Sequence, residues 1–158
     1  MKSMTNNIDE MLKTVVLVTG GFDPVHRGHI ELLKSSAIMG FLVVGLNSDE
    51  WLDRKKGSRF MAIEDRKSVM EQLRSVGNVI TFNDDDGSAC DAIAKVLEYY
   101  PDSQIVFANG GDRTNTNTPE MDRYGKHNRV TFAFGIGGTQ KLNSSSWIIK
   151  EAVNRATA

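Results

Sequence analysis

Two histidines three residues apart follow a glycine turn near the start of the chain. His26 and His29 belong to the stretch TGGFDPVHRGHIE, which lies between an aliphatic run at 15–18 and a segment with helical periodicity. At the start of a helix, side chains at positions i and i+3 lie on one face, so both imidazoles can point at one ligand. The backbone amides of the turn and of the helix N-terminus present positive partial charge to an anion. Together these features predict a phosphate site.

The spacing of the glycines excludes two common phosphate motifs. A Walker loop needs G-x-x-x-x-G-K followed by Ser or Thr, and a dinucleotide fingerprint needs G-x-G-x-x-G; residues 19–31 contain neither. Gly28, between the two histidines, has no side chain to block a ligand that lies across the turn. On the residues alone a structural interpretation stays open, in which the two histidines only cap the helix or face solvent.

The elements that must position these residues alternate along the chain. Apolar runs predict strands, and periodic apolar segments bounded by glycine, proline or serine predict helices between them. We therefore expect one α/β domain built on an open, mostly parallel five-stranded sheet with helices on both faces. The predicted strands are 15–18, 41–46, 79–82, 105–108 and 130–134, and the predicted helices are 29–39, 64–76, one capped by Ser88, 119–124 and one capped by a serine of 144–146.

The segment between the second strand and the second helix is polar and basic. Residues 47–60 show no clear periodicity beyond a possible turn at 49–52, so we expect a loop that carries Lys55 and Lys56. A basic run of this kind is typical of a solvated surface loop, and only the nearby histidine motif favours a role in binding. A second glycine break, at 110–111, follows the fourth predicted strand and is expected beside the first turn.

Composition limits the class of partner. The 158 residues carry 19 basic and 20 acidic side chains, which gives no bulk electrostatic case for a nucleic-acid or membrane partner. The single cysteine, Cys90, excludes an intramolecular disulfide. No apolar run approaches the ~20 residues of a membrane span, and residues 1–13 lack a signal-peptide core. We expect a cytoplasmic protein with a short N-terminal arm over 1–13, free to fray, and one domain over 14–158.

The order of the motifs resembles that of a known family. Over about 15–153 the chain resembles the HxGH nucleotidyltransferase superfamily, and more closely its cytidylyltransferase-like branch, which includes glycerol-3-phosphate cytidylyltransferases and sugar-phosphate adenylyltransferases of the heptose 1-phosphate type. Each later motif is weak by itself, but the series is specific. The matching motifs are GGFDP at 20–24, HRGH at 26–29, LVVGLNSDE at 42–50, EDR at 64–66, GGD at 110–112 and the serines at 144–146.

This resemblance implies a Rossmann-like fold and a reaction. A phosphate-type oxygen of a small phosphorylated or phosphonylated acceptor attacks the α-phosphate of CTP or ATP, with CTP slightly favoured, and pyrophosphate is released. Mg²⁺ is expected with the triphosphate, held mainly by phosphate oxygens and water, without a metal site made by the protein. A homodimer is the expected assembly. The alternatives are a coenzyme-type adenylyltransferase, acting on pantetheine phosphate or nicotinamide mononucleotide, and a non-catalytic nucleotide-binding module.

The resemblance also implies catalytic roles. His26 and His29 would donate hydrogen bonds to the phosphates in the transition state. Lys56 would close over the phosphates, and Lys55 is an almost equal candidate because loop length varies. Arg66 would reach the phosphates or the acceptor, although it could equally pair with a neighbouring carboxylate.

Further residues are implied to bind the nucleotide. Asp23 would orient the turn or an incoming group, or it is simply an Asx-type turn residue. Several cytidylyltransferases carry an arginine shortly before the serine cluster; Thr139 stands there in this chain, and Lys141 is the candidate for the missing charge. The complete set is Gly20, Gly21, Phe22, Asp23, Gly28, Lys55, Gly110, Gly111, Asp112, Lys141, Ser144, Ser145 and Ser146.

Overall fold

A parallel β-sheet forms the centre of the molecule. The computed structural model describes residues 4–111, 118–138 and 141–158, and within these ranges five strands pair in the order β3-β2-β1-β4-β5, all parallel. The predicted Rossmann-like, open parallel sheet is thereby confirmed. The strands are β1 (Thr14–Gly20), β2 (Phe41–Leu46), β3 (Asn78–Thr81), β4 (Gln104–Gly110) and β5 (Val130–Ile136).

Helices cover both faces of this sheet, as predicted. Successive residues of a strand point to opposite faces, so Leu17 packs in a core that contains Ile93, whereas Val16 packs in a second core that contains Leu33 and Met70. The helices are α1 (Met4–Met11), α2 (Arg27–Met39), α3 (Asp49–Lys56), α4 (Ile63–Glu71), α5 (Cys90–Tyr99), α6 (Pro119–Tyr124) and α7 (Ser145–Thr157). No helix in the described ranges is both long enough and apolar enough to cross a membrane.

The strand order places a crevice at one edge of the sheet. From the central β1 the chain adds β2 and β3 on one side, and it later adds β4 and β5 on the other side. In open α/β sheets, ligands bind at the carboxyl ends of the strands where this direction reverses. That point lies between the ends of β1 and β4, which are also where the two glycine breaks fall.

The prediction of a loop at 47–60 is wrong over most of that range, because residues 49–56 form α3. Ser48 caps this helix, since its hydroxyl accepts a hydrogen bond from the backbone N–H of Trp51 at 3.0 Å. Two acidic residues in the first turn and three basic residues in the last turn favour the helix dipole. Only Leu52 in this helix is buried, and a single apolar position leaves no periodicity to detect.

Three smaller expectations also change. The N-cap of α5 is Ala89 rather than Ser88; the carboxylate of Glu120 accepts the Ala89 N–H at 2.7 Å, and the Ser88 hydroxyl accepts the N–H of Cys90. Helix α4 ends at Glu71 instead of continuing to residue 76. Within the segment interpreted as an arm, residues 4–11 form α1.

Candidate functional site

A cavity of about 310 Å³ opens at the carboxyl ends of β1 and β4. One wall is the end of β1 with the glycine turn and the start of α2, including both histidines. The opposite wall is formed by residues 108–111 at the end of β4, by 136–138 after β5, and by 141–143 before α7. The predicted phosphate turn therefore lines a real crevice, and the second glycine break lies beside it.

The two histidines cap α2 with reciprocal hydrogen bonds. His26 is the N-cap residue, and its Nδ1 accepts the N–H of Gly28 at 3.1 Å. His29 Nδ1 accepts the N–H of His26 at 3.2 Å, and the two rings stack with centroids 3.8 Å apart. In a neutral imidazole, a nitrogen that accepts a hydrogen bond leaves the proton on the other nitrogen. Capping thus fixes the Nε2–H tautomer of both rings.

The surroundings keep both rings neutral. Burial, followed by the charges of His26 and Lys56, lowers the pKa of His29 to about 3. The pKa of His26 is lowered by burial and then by Lys56 and Lys141. Two neutral rings with fixed Nε2–H donors can stabilise negative charge on a ligand without giving up a proton.

This arrangement predicts that acid weakens the fold. His29 has an ordinary pKa of 6.5 when unfolded and about 3 when folded, so between these values the unfolded state binds more protons and is favoured as the pH falls. We expect the free energy of unfolding, measured with urea, to fall between about pH 7 and pH 5. His29→Asn removes the titrating ring and should flatten this slope. Equal slopes in the parent and the variant would contradict the prediction.

Gly28 is a glycine because the His26 ring folds back over it. A Cβ at this position would lie 2.9 Å from His26 Cε1 and 3.1 Å from its Nδ1, closer than such contacts occur. The missing side chain therefore makes room for the capping ring, a reason that differs from the ligand access expected from the sequence.

Phe22 packs against the second histidine. Its ring centroid lies 4.8 Å from that of His29. Its φ of 50° is in the left-handed region, a strained conformation for a bulky residue.

The two candidate lysines lie in different places. Lys55 Nζ lies 4.7 Å from the centroid of the Trp51 ring, in a cation–π contact. Lys56, the last residue of α3, is coupled to the site, because its charge lowers the pKa of both histidines. Burial lowers the pKa of Lys56 itself, and the negative charge of Asp23 opposes that shift. Of the two, Lys56 is the lysine whose charge acts on both histidines.

Arg66 does not face the cavity, contrary to the role implied by resemblance. Its side chain is 0% exposed, and its guanidinium donates to the carbonyls of Met61, Gly21 and Asn47 and to Asp49 Oδ1 at 2.7–3.1 Å. Its acidic partner is neither of its neighbours in the EDR motif. Arg66 joins the glycine turn to the end of β2 and to the segment before α4, which is a structural role.

Asp23 is also buried, with 2% of its surface exposed. Its Oδ2 accepts the N–H of Phe60 and its Oδ1 accepts the N–H of Met61, both at 2.7 Å. These donors lie after α3, so Asp23 is not a local Asx-turn residue. Each oxygen accepts a hydrogen bond within the protein, and Asp23 is not among the residues that line the cavity.

The serine cluster packs beside the cavity rather than lining it. Ser144 caps α7 by accepting the N–H of Trp147 at 3.1 Å, which confirms that one of the serines caps the last helix. Ser145 is buried and donates to the carbonyl of Pro24 at 2.8 Å. Ser146 is exposed. The helix these serines open is therefore held against the glycine turn, but the cavity wall described above contains none of the three.

Several cavity residues match the sequence expectations and others were missed. Gly20, Phe22, Gly28, Gly110, Gly111 and Lys141 line the cavity, whereas Asp112 and Thr139 lie outside the described residues. Lys141 Nζ also lies 4.8 Å from the centroid of the Trp147 ring. The missed residues are Val18, Thr19, Leu32, Ala108, Asn109, Ile136, Gly137, Gly138, Leu142 and Asn143.

The missed glycines had a signal in the sequence, GIGG at 135–138, directly after the predicted strand 130–134. A Cβ at Gly137 would lie 2.9 Å from the backbone nitrogen of Leu32, and its φ of 81° is one that glycine adopts readily. The segment after β5 can therefore press directly against α2 and close the cavity on that side.

Comparisons with known proteins find a matching family model and similar relatives. The model of the cytidylyltransferase-like family matches residues 17–152. The bifunctional protein HldE of Azorhizobium caulinodans is 38% identical over 111 residues, which cover 62% of this chain and 23% of that protein. HldE of Syntrophotalea carbinolica is 32% identical over 136 residues, which cover 71% and 28%. The chain thus spans less than a third of the length of these relatives.

One solved structure extends the comparison to the fold. The lipopolysaccharide core biosynthesis protein from Thermoplasma volcanium matches with a TM-score of 0.61 at 23% identity, over 82% of this chain and 98% of that chain. At this level of identity, the likeness concerns architecture alone.

Proposed function

Because this chain belongs to the cytidylyltransferase-like family, we propose that it transfers a nucleotidyl group from CTP or ATP to a small acceptor that carries a phosphate or phosphonate. An acceptor oxygen forms a bond to the α-phosphorus, the bond from that phosphorus to the bridging oxygen breaks, and pyrophosphate leaves with the electron pair. The observation that carries the proposal is the stacked pair His26 and His29, with both Nδ1 atoms engaged by the backbone and both rings in the cavity wall.

The chemistry needs positioned charge more than proton transfer. The acceptor oxygen is already anionic, so no strong base is required, and the barrier depends on the negative charge that develops on the α-phosphate and on pyrophosphate. The two Nε2–H groups would donate to those oxygens. Lys56 and Lys141 add positive charge near the histidines, and the N-terminus of α2 adds its partial charge.

Mg²⁺ belongs to the proposal as a companion of the triphosphate. The described residues contain no cluster of three or more His, Cys, Asp or Glu side chains suited to a metal ion, and both oxygens of the buried Asp23 are engaged by backbone N–H groups. The phosphate oxygens would therefore supply the main ligands, and the ion would offset the charge of the leaving pyrophosphate.

The test is turnover with a panel of substrates. CTP, ATP, GTP and UTP are each combined with sugar, polyol and amino-alcohol phosphates and phosphonates, and with pantetheine phosphate and nicotinamide mononucleotide, while pyrophosphate is followed. We expect release with CTP or ATP and one acceptor class. Absence of pyrophosphate with every pair, from folded protein that still binds a nucleotide, would overturn the proposal in favour of a non-catalytic binding module.

A further inference from the structure

The buried carboxylate of Asp23 connects two parts of the site that are far apart in the chain. Asp23 lies in the glycine turn, and its two oxygens accept the N–H groups of Phe60 and Met61 at 2.7 Å each. These donors follow α3, whose last residue is Lys56. Both carboxylate oxygens are engaged, in charge-assisted hydrogen bonds of the strong kind. The carboxylate therefore ties the exit of α3 to the turn that precedes the histidines.

The start and the middle of α3 are held by other contacts. Its N-terminus is fixed by Asp84, which accepts from the Ser48 N–H at 2.8 Å and from the Ser48 hydroxyl at 2.6 Å. Its middle packs through Leu52 against Gly21, where a Cβ would lie 2.7 Å from a Leu52 methyl carbon. The last turn, with Lys56, is largely exposed but leaves Lys56 partly shielded from solvent, and a Cβ at Gly57 beyond it would meet no other atom within 4 Å. On this side of Lys56, Asp23 bonds the segment directly to the glycine turn, beside Arg66, which donates to the carbonyls of Gly21 and Met61.

We propose that Asp23 is a positioning residue, whose carboxylate holds the segment after α3 on the glycine turn and so keeps Lys56 beside His26 and His29. This inference rests on the proposed nucleotidyl transfer. It assigns Asp23 an action through Lys56 rather than on the substrate. A shift of about 1 Å in a charged group can cost about 100-fold in rate, so the tether matters most in the transition state.

Asp23→Asn is a nearly isosteric probe of this tether. The amide oxygen can still accept one of the two N–H groups. The amide nitrogen is itself a donor and cannot accept the second N–H group, so one hydrogen bond is lost with little change in side-chain volume. We expect kcat for pyrophosphate release to fall about 10- to 100-fold. Asp53→Asn is the matched control, because Asp53 accepts from the N–H and the side chain of Arg59 and so ties the same segment to α3 rather than to the turn. Its kcat should stay within about threefold of the parent.

A double-mutant cycle separates positioning from structural damage. Asp23→Asn is measured in the parent, in Lys56→Gln and in Lys55→Gln, with the thermal unfolding midpoint recorded for each protein. If Asp23 acts through Lys56, the substitution lowers kcat by less than about threefold in Lys56→Gln and by its full factor in Lys55→Gln. Asp23→Ser, which retains one acceptor, replaces Asp23→Asn in the cycle if the latter does not fold.

Each outcome has one meaning. An equal loss of kcat in the Lys56→Gln background would overturn the inference, because it would show that Asp23 acts on the substrate or only on the fold. An unchanged kcat in Asp23→Asn would overturn it as well. If the parent itself releases no pyrophosphate, the proposed function fails, and that result is distinct from either failure of the cycle.

Discussion

Replacing His29 by asparagine is expected to lower kcat for pyrophosphate release by about 100- to 1,000-fold. The asparagine oxygen can take the place of Nδ1 and accept the N–H of His26, so the cap survives, but the variant has no group where Nε2–H was. The loss should appear in kcat more than in KM, because the donor acts on charge that develops in the transition state.

A glutamine at the same position tests the assignment in the opposite direction. Its amide nitrogen can approach the place of Nε2 and donate, whereas its ability to cap α2 is poorer. We expect His29→Gln to retain more activity than His29→Asn and to have the lower unfolding midpoint. His127, which is exposed and accepts the N–H of Arg129, supplies the control, since His127→Asn should leave kcat within about threefold. A higher kcat in His29→Asn than in His29→Gln would contradict the proposed role of His29 as a hydrogen-bond donor.

Replacing Arg66 by methionine is expected to lower the free energy of unfolding by about 3–5 kcal/mol, the range for breaking a buried ion pair. The methionine fills much of the volume but leaves three carbonyls and the Asp49 carboxylate without the donors that they have in the parent. Buried acceptors that lose their partners account for the size of the effect. Urea denaturation, with the slope checked for a two-state transition, measures it.

An exposed arginine on the same network provides the comparison. Arg59 pairs with Asp53 at 2.7 Å, but 43% of its side chain is exposed, and pairs of that kind contribute about 0–1 kcal/mol. Arg59→Met should therefore cost no more than about 1 kcal/mol. A similar loss in the two methionine variants would show that burial does not explain the importance of Arg66.

The pattern of the sequence predicted the sheet well because its signals are local. The run at 41–46 is apolar throughout, and the structure has β2 over the same residues. Helix α3 was not predicted because its local signals are weak. Its only buried apolar residue is Leu52, and its capping residue Ser48 is one serine among many. The N-cap of α5 is Ala89 rather than Ser88, and the acceptor for its N–H is Glu120, 31 residues away, which no local pattern indicates.

The site was predictable as a motif but less so as a set of contacts. The glycine turn and the histidine pair line the cavity, and these lie within ten residues of one another in the sequence. The resemblance implied ligand roles for Arg66 and Asp23, with local structural roles as alternatives. Their actual partners are distant in the chain: Gly21 is separated from Arg66 by 45 residues, and Met61 from Asp23 by 38. The type of a charged residue near a phosphate motif favours a role in ligand binding. Only the three-dimensional structure shows that its hydrogen-bonding groups already have partners within the protein.

The reciprocal hydrogen bonds of His26 and His29 join two events that many proteins keep separate. The contacts that let α2 begin are the same contacts that choose which ring nitrogen carries the proton. Once α2 has formed, both histidines therefore already carry their protons on Nε2, and no further tautomer change is needed before they can donate. Excess acid would undo both at once, since a proton added to Nδ1 displaces the backbone N–H from the first turn. The first turn of α2 and the Nε2–H tautomer of both rings therefore depend on the same hydrogen bonds.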